Sequence, residues 1–138
     1  MVETKEIKLN TKGNTDIIDI TGRVESAVRD SNVSNGIVTV FVPGATGGIT
    51  TVEYEPGLVR DLKRLFEEVA SKKKDYAHNL QWGDGNGYSH VRASLLGPSL
   101  TIPFRDKELI RGTWQQVVFI DFDNRPRARK IVVQIIGE

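Results

Sequence analysis

The fold is decided by residues 112–136, which read GTWQQVVFIDFDNRPRARKIVVQII. Two long runs of β-branched, aromatic and other apolar residues, 112–122 and 127–136, flank the short connection 123–126, and this pattern predicts two strands joined as a hairpin. Both runs carry apolar residues on both faces, so each strand has to be covered on two sides. One cover can be a second sheet or a helix, and the other can be a neighbouring subunit.

The residues before this pair predict further strands and helices. Alternating or β-branched segments predict strands at 4–10, 36–42, 49–52 and 100–104. Helical spacing and terminal signals predict helices after Thr21, from Pro56 to the lysines at 72–74, and a short one that ends at Gly97. An order of β-α-β-β-α-loop-α-β-β-β indicates the α+β class.

Length and composition bound the domain organisation and exclude several classes of function. A chain of 138 residues predicts one compact domain, residues 1–138, and a net charge of +1 gives no reason to expect nucleic acid or an anionic membrane as a partner. The chain has no cysteine, which excludes a thiol nucleophile and thiolate metal sites. No apolar run resembles a signal peptide or a membrane span, so the expected location is the cytoplasm.

Residues 78–90, HNLQWGDGNGYSH, contain both histidines of the chain. Imidazole can bind a metal, move a proton or hold a phosphate near neutral pH, which makes His78 and His90 candidates for catalysis and for a metal site. The glycines run into a predicted helix start, where backbone amides can approach an anion, so Gly85, Asn86 and Gly87 are candidate anion-binding residues. There are two structural alternatives. The glycines can form only a turn, and one histidine can lie on the surface while the other lies in the core.

Other candidates lie outside this segment. Glu53 follows a predicted strand and can act as an acid, a base or a metal ligand, although an isolated glutamate there is usually solvated. Arg127 and Arg129 fall on one strand face and can clamp a phosphate through their guanidinium groups, although arginines near a hairpin tip are usually exposed. The phosphate-loop, dinucleotide-binding and serine-nucleophile motifs are absent.

Taken together, these blocks resemble the YjbQ-like family, often called the secondary thiamine-phosphate synthase family. The resemblance covers nearly the whole chain and rests on Val42-Pro43 with the small-residue turn that follows, Tyr76-Ala77-His78-Asn79, Gly83-Asp84-Gly85-Asn86 with His90, Leu96-Gly97-Pro98-Ser99, Gly112-Thr113-Trp114-Gln115, and Arg127 with Arg129.

The resemblance implies a fold, an assembly and an activity. The expected fold is a single α+β domain with a β-sandwich-like antiparallel core and a few helices, assembled as a homotrimer. The expected activity joins a pyrimidine diphosphate to a thiazole phosphate with release of pyrophosphate. The site would be a cleft lined by His78 and His90, with Glu53, Asp84 and Asn86 nearby, that takes a small phosphorylated molecule.

Two positions depart from the family pattern. The family usually has a histidine directly after Val-Pro, where this chain has Gly44, so a divalent metal such as Mg²⁺ or Zn²⁺ would lose one of three imidazole ligands. Two hypotheses follow: a thiamine-phosphate-synthase-type transferase, or a non-catalytic phosphate- or metabolite-binding protein that has lost one site histidine. The second departure is Lys107, where a glycine is usual.

Overall fold

The computed structural model describes residues 1–138 as eight strands and four helices. The strands are β1 (Val2–Thr11), β2 (Asp16–Asp19), β3 (Gly36–Phe41), β4 (Gly47–Val52), β5 (Ser99–Arg105), β6 (Glu108–Leu109), β7 (Gln116–Asp121) and β8 (Arg127–Gly137). The helices are α1 (Thr21–Arg29), α2 (Pro56–Val69), α3 (Ala77–Trp82) and α4 (Gly87–Leu96). None of these helices is both long and apolar enough to cross a bilayer.

The strands form two antiparallel sheets that enclose the main core. Sheet A has the order β1-β8-β3-β5-β6, and sheet B has the order β2-β7-β4. Inward side chains from sheet A, such as Val40 and Val133, meet Val117 and Phe119 from sheet B in a cluster of fully buried residues. The expected α+β domain with a β-sandwich-like antiparallel core is therefore confirmed.

The central strand of sheet B, β7, is buried on both faces. Its alternating side chains divide between two cores, because successive residues of a strand point to opposite sides. Val118 and Ile120 enter a second, smaller core, in which Phe122 contacts Phe66 of α2 edge to face with ring centroids 4.8 Å apart. The chain's own sheet A and its own helices α2 and α4 therefore supply both covers of β7.

The predicted hairpin of residues 112–136 is wrong. β7 pairs with β2 and β4, whereas β8 pairs with β1 and β3, so the two strands lie in different sheets. Residues 122–126 form a corner between the sheets instead of a hairpin turn. An apolar pattern reports that a strand is buried and does not report which strand it pairs with. The strand also begins later than predicted, at Gln116, because residues 112–115 form a turn.

The first and last strands bring the two ends of the chain together. Val2 of β1 pairs with Ile136 of β8, and the Met1 amino group donates a hydrogen bond of 2.8 Å to the Gly137 carbonyl. The outer face of sheet A nearby leaves Ile37, Phe41 and Ile136 about two-fifths exposed.

The contacts of Lys107 show how this chain accommodates a lysine where the family pattern has a glycine. Its φ of 65° lies in the left-handed region, which glycine adopts at little cost and other residues adopt less readily. The Lys107 ammonium donates hydrogen bonds to the carbonyls of Arg29 and Ser31 at the end of α1. These contacts stabilise the turn that the side chain would otherwise disfavour.

Candidate functional site

The two histidines lie side by side on successive short helices. His78 is on α3 and His90 is on α4, and their ring centroids are 4.5 Å apart with an angle of 42° between the ring planes. Between the helices the chain reverses at Gly83 and Gly85, whose φ values of 68° and 64° suit glycine. The structure thus brings together the imidazoles that are twelve residues apart in the sequence.

The surroundings of His78 leave one of its ring nitrogens without a partner. Nδ1 is buried and makes no hydrogen bond, although it lies 3.4 Å from Oδ1 of Asp84. His90 is partly exposed. Neither of its ring nitrogens is both buried and without a hydrogen-bond partner, so the ring reaches the protein surface.

Backbone amides of the predicted anion loop are already hydrogen-bonded within the chain. The Asn86 amide donates to Oδ1 of Asp84 at 3.1 Å, and the Gly87 amide donates to Oδ1 of Asn79 at 2.9 Å. The buried Asn86 side chain accepts from the Ser89 hydroxyl at 2.5 Å. Of the three predicted positions, only Gly85 is exposed, so these residues order the loop and the imidazoles are the groups left open to a ligand.

His90 faces a second corner between the two sheets, residues 43–47, which leads from β3 of sheet A into β4 of sheet B. A cleft of about 200 Å³ lies between them, and its walls are Gly44, Ala45, Gly47, His90, Ala93, Ser94 and Pro98. The corner is fixed to the end of α4, because the Val42 amide donates to the Pro98 carbonyl at 2.9 Å. The position where the family pattern has a histidine, Gly44, therefore shares a cleft with His90.

Behind this corner lie two carboxylates paired with the two predicted phosphate-binding arginines. Arg129 holds the Asp121 carboxylate through Nε and Nη2, each at 2.8 Å, and Arg127 holds Oδ2 of Asp123 at 3.0 and 2.8 Å. Both carboxylates are fully buried, and the hydroxyl of Thr46 in the corner donates to Asp123 at 2.9 Å. We call Asp121, Asp123, Arg127 and Arg129 the corner ion cluster.

Two members of the corner ion cluster have shifted pKa values that favour their charged forms. Burial by itself would raise the pKa of Asp123, but hydrogen bonds from Arg127 and Thr46 and the positive charges of Arg127 and Arg129 lower it below its ordinary value. Hydrogen bonding to Asp121 raises the pKa of Arg129 despite the burial of the guanidinium. Through its ion pairs, the cluster joins β7 of sheet B to β8 of sheet A.

Sequence reasoning missed the two aspartates of this cluster, although a signal was present. Asp121 lies in a strand predicted to be buried on both faces, and Asp123 directly follows the end of that strand. Buried carboxylates need a positively charged or hydrogen-bonding partner, and the nearest arginines in the sequence follow within a few residues.

Glu53 is not brought to the histidines. It follows β4 at the end opposite Gly47, and six strand residues span about 20 Å at roughly 3.3 Å per residue. No three His, Cys, Asp or Glu side chains lie close enough together to hold a metal ion. The residues of this chain therefore do not fit a protein-held zinc, which needs at least three such ligands.

Comparisons with known proteins find the same family over nearly the whole chain. Residues 5–138 match the family described as "UPF0047 protein YjbQ-like". A "UPF0047 protein" of Methanothermobacter thermautotrophicus is 36% identical over 99% of this chain and 94% of its own length. The "UPF0047 protein YugU" of Bacillus subtilis is 30% identical over 96% of this chain and 98% of its own.

Solved structures show the same similarity. A crystal structure of a YbjQ-like protein of unknown function from Sulfolobus solfataricus superposes with a TM-score of 0.95, at 34% identity, and the match covers 100% of this chain and 99% of that one. A conserved protein of the yjbq/upf0047 family from Clostridium acetobutylicum gives a TM-score of 0.87 at 39% identity, with 96% and 99% of the two chains covered.

Proposed function

Because the chain belongs to the YjbQ-like UPF0047 family, we propose that it binds a small phosphorylated molecule in the cleft between His90 and the corner at 43–47. The observation that carries this proposal is the contact between the two imidazoles, whose ring centroids are 4.5 Å apart. Each imidazole can donate an N–H hydrogen bond to an oxyanion, so two rings in contact present two donors side by side. A phosphate ester is the anion that the family resemblance favours.

The proposed reaction is the transfer that the resemblance implies. The thiazole phosphate displaces pyrophosphate from the pyrimidine diphosphate, so the leaving group accumulates negative charge as its bond to carbon breaks. His90 lies at the cleft surface and is placed to donate a hydrogen bond or a proton to that leaving group. His78 lies against the ring of His90, and its Nδ1 is 3.4 Å from Oδ1 of Asp84.

The test of this proposal is an assay with both thiamine precursors and magnesium that measures the pyrophosphate released. His90→Ala should lower the rate by about 10²–10⁴-fold, which is the usual contribution of a general acid or base. Leu95→Ala on the same helix, with its side chain 61% exposed, is the matched control and should leave the rate unchanged. A rate that is unaffected by His90→Ala would remove His90 from the reaction.

Gly44 favours a second candidate, a binding protein without turnover. The cleft wall opposite His90 has no side chain at the position where the family pattern has a histidine. A cleft that has lost a reactive imidazole can still hold a phosphate through His90 and its neighbours. Calorimetric titration with pyrophosphate, run beside the assay, separates the candidates: both bind, and only the transferase releases product.

We also propose that the protein forms a homo-oligomer, expected to be a trimer. The supporting feature is the outer face of sheet A, which exposes Ile37, Phe41 and Ile136. Exposed apolar side chains grouped on one sheet face are common at contacts between subunits. The helical side of the molecule, which carries the cleft, is a different surface.

A further inference from the structure

We propose that Arg129 is a fixed cation that binds the anionic group of the ligand, and that the missing side chain of Gly44 gives the ligand access to it. This inference rests on the proposed binding of a phosphorylated molecule in the same cleft. It assigns the two arginines different roles: Arg127 is structural, and one nitrogen of Arg129 contacts the ligand.

The guanidinium of Arg129 cannot move far. Nε and Nη2 each donate to the Asp121 carboxylate at 2.8 Å, and Nη2 also donates to the Thr46 hydroxyl at 2.7 Å. The side chain is only 11% exposed, and its planar group lies 5.9 Å from the ring centroid of Phe119. Three hydrogen bonds and the packing hold the group in one orientation before any ligand arrives.

The third nitrogen, Nη1, has no partner within the chain. It is not among the buried polar atoms that lack a hydrogen bond, so it reaches solvent. A Cβ atom at position 44 would lie 3.0 Å from this nitrogen, which is closer than carbon normally approaches. Any side chain at position 44 would therefore crowd Nη1. Glycine leaves this nitrogen uncovered directly behind Gly44, which is itself one of the residues that line the cleft with His90.

The geometry selects the class of ligand. Asp121 already occupies the two-pronged edge of the guanidinium, so the ligand receives a single N–H contact from Nη1. The partner for that contact is an oxyanion, with His90 as the second donor from the opposite wall. Phosphates and carboxylates share this chemistry, and the proposed function favours a phosphate.

The first test leaves the wild-type sequence unchanged. Inorganic pyrophosphate is titrated into ¹⁵N-labelled protein while the side-chain nitrogen signals of Arg129 and the ring signals of His90 are followed by NMR. We expect both sets of signals to shift with the same saturation curve. A parallel titration with succinate tests the carboxylate class, and binding of succinate in preference to pyrophosphate would contradict a phosphate ligand.

The second test removes access to Nη1. Gly44→Ala should weaken pyrophosphate binding at least tenfold. Gly97→Ala is the control, because Gly97 also has a positive φ (92°) and a Cβ added there meets no atom within 4 Å, so this variant should not change binding. Thermal denaturation of both variants checks that they fold. Pyrophosphate that binds with the Arg129 signals unmoved and with Gly44→Ala equally tight would overturn the role of Arg129 alone. No binding to the wild type would overturn the proposed function as well.

Discussion

Asp123 has one carboxylate oxygen, Oδ1, that receives no hydrogen bond although the side chain is fully buried. A buried acceptor without a donor costs free energy, which the other oxygen offsets through its contacts with Arg127 and Thr46. The carboxylate is tolerated because its neighbours stabilise the negative charge. Its contribution to stability therefore depends on its being ionised.

This dependence gives a prediction about acid. The folded-state pKa of Asp123 lies below the ordinary value of 3.8, so its ionisation stabilises the protein above that pH, and this contribution is lost as the pH falls towards the folded-state pKa. Asp123→Asn should cost about 1–3 kcal/mol at pH 7. The difference from the wild type should shrink below pH 4, measured by urea unfolding across the pH range. A difference that stays constant with pH would contradict the assignment.

Arg92 is a buried charged residue outside the corner ion cluster. It lies on the side of α4 away from the cleft. It donates to the Ala70 carbonyl and to the Thr15 hydroxyl at 2.9 Å each and to Glu67 at 2.8 Å. Its guanidinium also lies 4.9 Å from the ring centroid of Tyr88. Arg92 thus ties α4, and with it His90, to the end of α2.

Removing this guanidinium should destabilise the fold. Arg92→Met keeps most of the apolar side chain and loses three hydrogen bonds, so we expect about 2–4 kcal/mol lower free energy of unfolding. The matched control is Arg64→Met on α2, whose ion pairs with Asp61 and Glu68 are exposed and should contribute less than about 0.5 kcal/mol. Chemical denaturation measures both. Equal effects of the two substitutions would contradict the structural role of Arg92.

At the scale of single residues, the sequence predicted the proximity of the two histidines, and it did not predict the charged cluster. Concentration of both imidazoles between residues 78 and 90 indicated a shared site, and the structure places the two rings in contact. Whether Arg127 and Arg129 meet a ligand or a carboxylate depends on which strands face each other across the sandwich. That information is not local, so Asp121 could not be matched to Arg129 from spacing alone.

Among the elements, sequence reasoning missed the short strands β2 and β6 and the helix α3. The six residues of α3 include no buried side chain, so it has no apolar stripe to recognise, and it exposes Leu80 and Trp82 by 90% and 70%. The longer strands and helices were predictable because each of them buries a periodic face. The pairing of β7 and β8 was not, because periodicity predicts burial and leaves the partner undetermined.

The same exposure makes α3 the least stable part of the site. It is linked to α4 by the hydrogen bond that the Gly87 amide donates to Oδ1 of Asn79 and by the contact between the rings of His78 and His90. Asn79→Ala should free α3, move His78 away from His90 and weaken pyrophosphate binding about tenfold, while the free energy of unfolding falls by only about 1 kcal/mol. Leu80→Ala, on the same helix, is the control and should change neither quantity.

Amide hydrogen exchange would test the low stability of α3 without an affinity measurement. Amides of α3 should exchange faster than those of α4 in the free protein, because few contacts hold the short helix. Pyrophosphate should slow exchange in α3 of the wild type and have little effect in Asn79→Ala. Strong protection of α3 without any ligand would contradict the expected mobility.

For the whole molecule, the position of β7 between two cores changes the argument about assembly. The apolar pattern of 112–122 and 127–136 allows a neighbouring subunit to cover one face, whereas β7 is covered twice within the chain. The outer face of sheet A is a different surface that exposes apolar side chains, and it is the one proposed for the subunit contact. A subunit contact is therefore expected on the side of the molecule away from α2 and α4.

Sedimentation equilibrium at micromolar concentration tests this expectation. The wild type should have about three times the mass of one chain, and Ile136→Lys should lower that mass because it places a charge on the outer face of sheet A. Leu95→Lys on the helical side is the matched control and should leave the assembly intact. A wild-type monomer at this concentration would contradict the proposed oligomer.

The hydrogen bond between Met1 and Gly137 places residues 1 and 137 next to each other in the fold. A short linker would join its ends across the β1–β8 edge, and new ends could be opened in the exposed segment of residues 72–75, between α2 and α3. Such a circular permutant would keep every strand pair and both cores, since each depends on proximity in space and not on the order of synthesis. Its thermal midpoint should lie close to that of the natural chain.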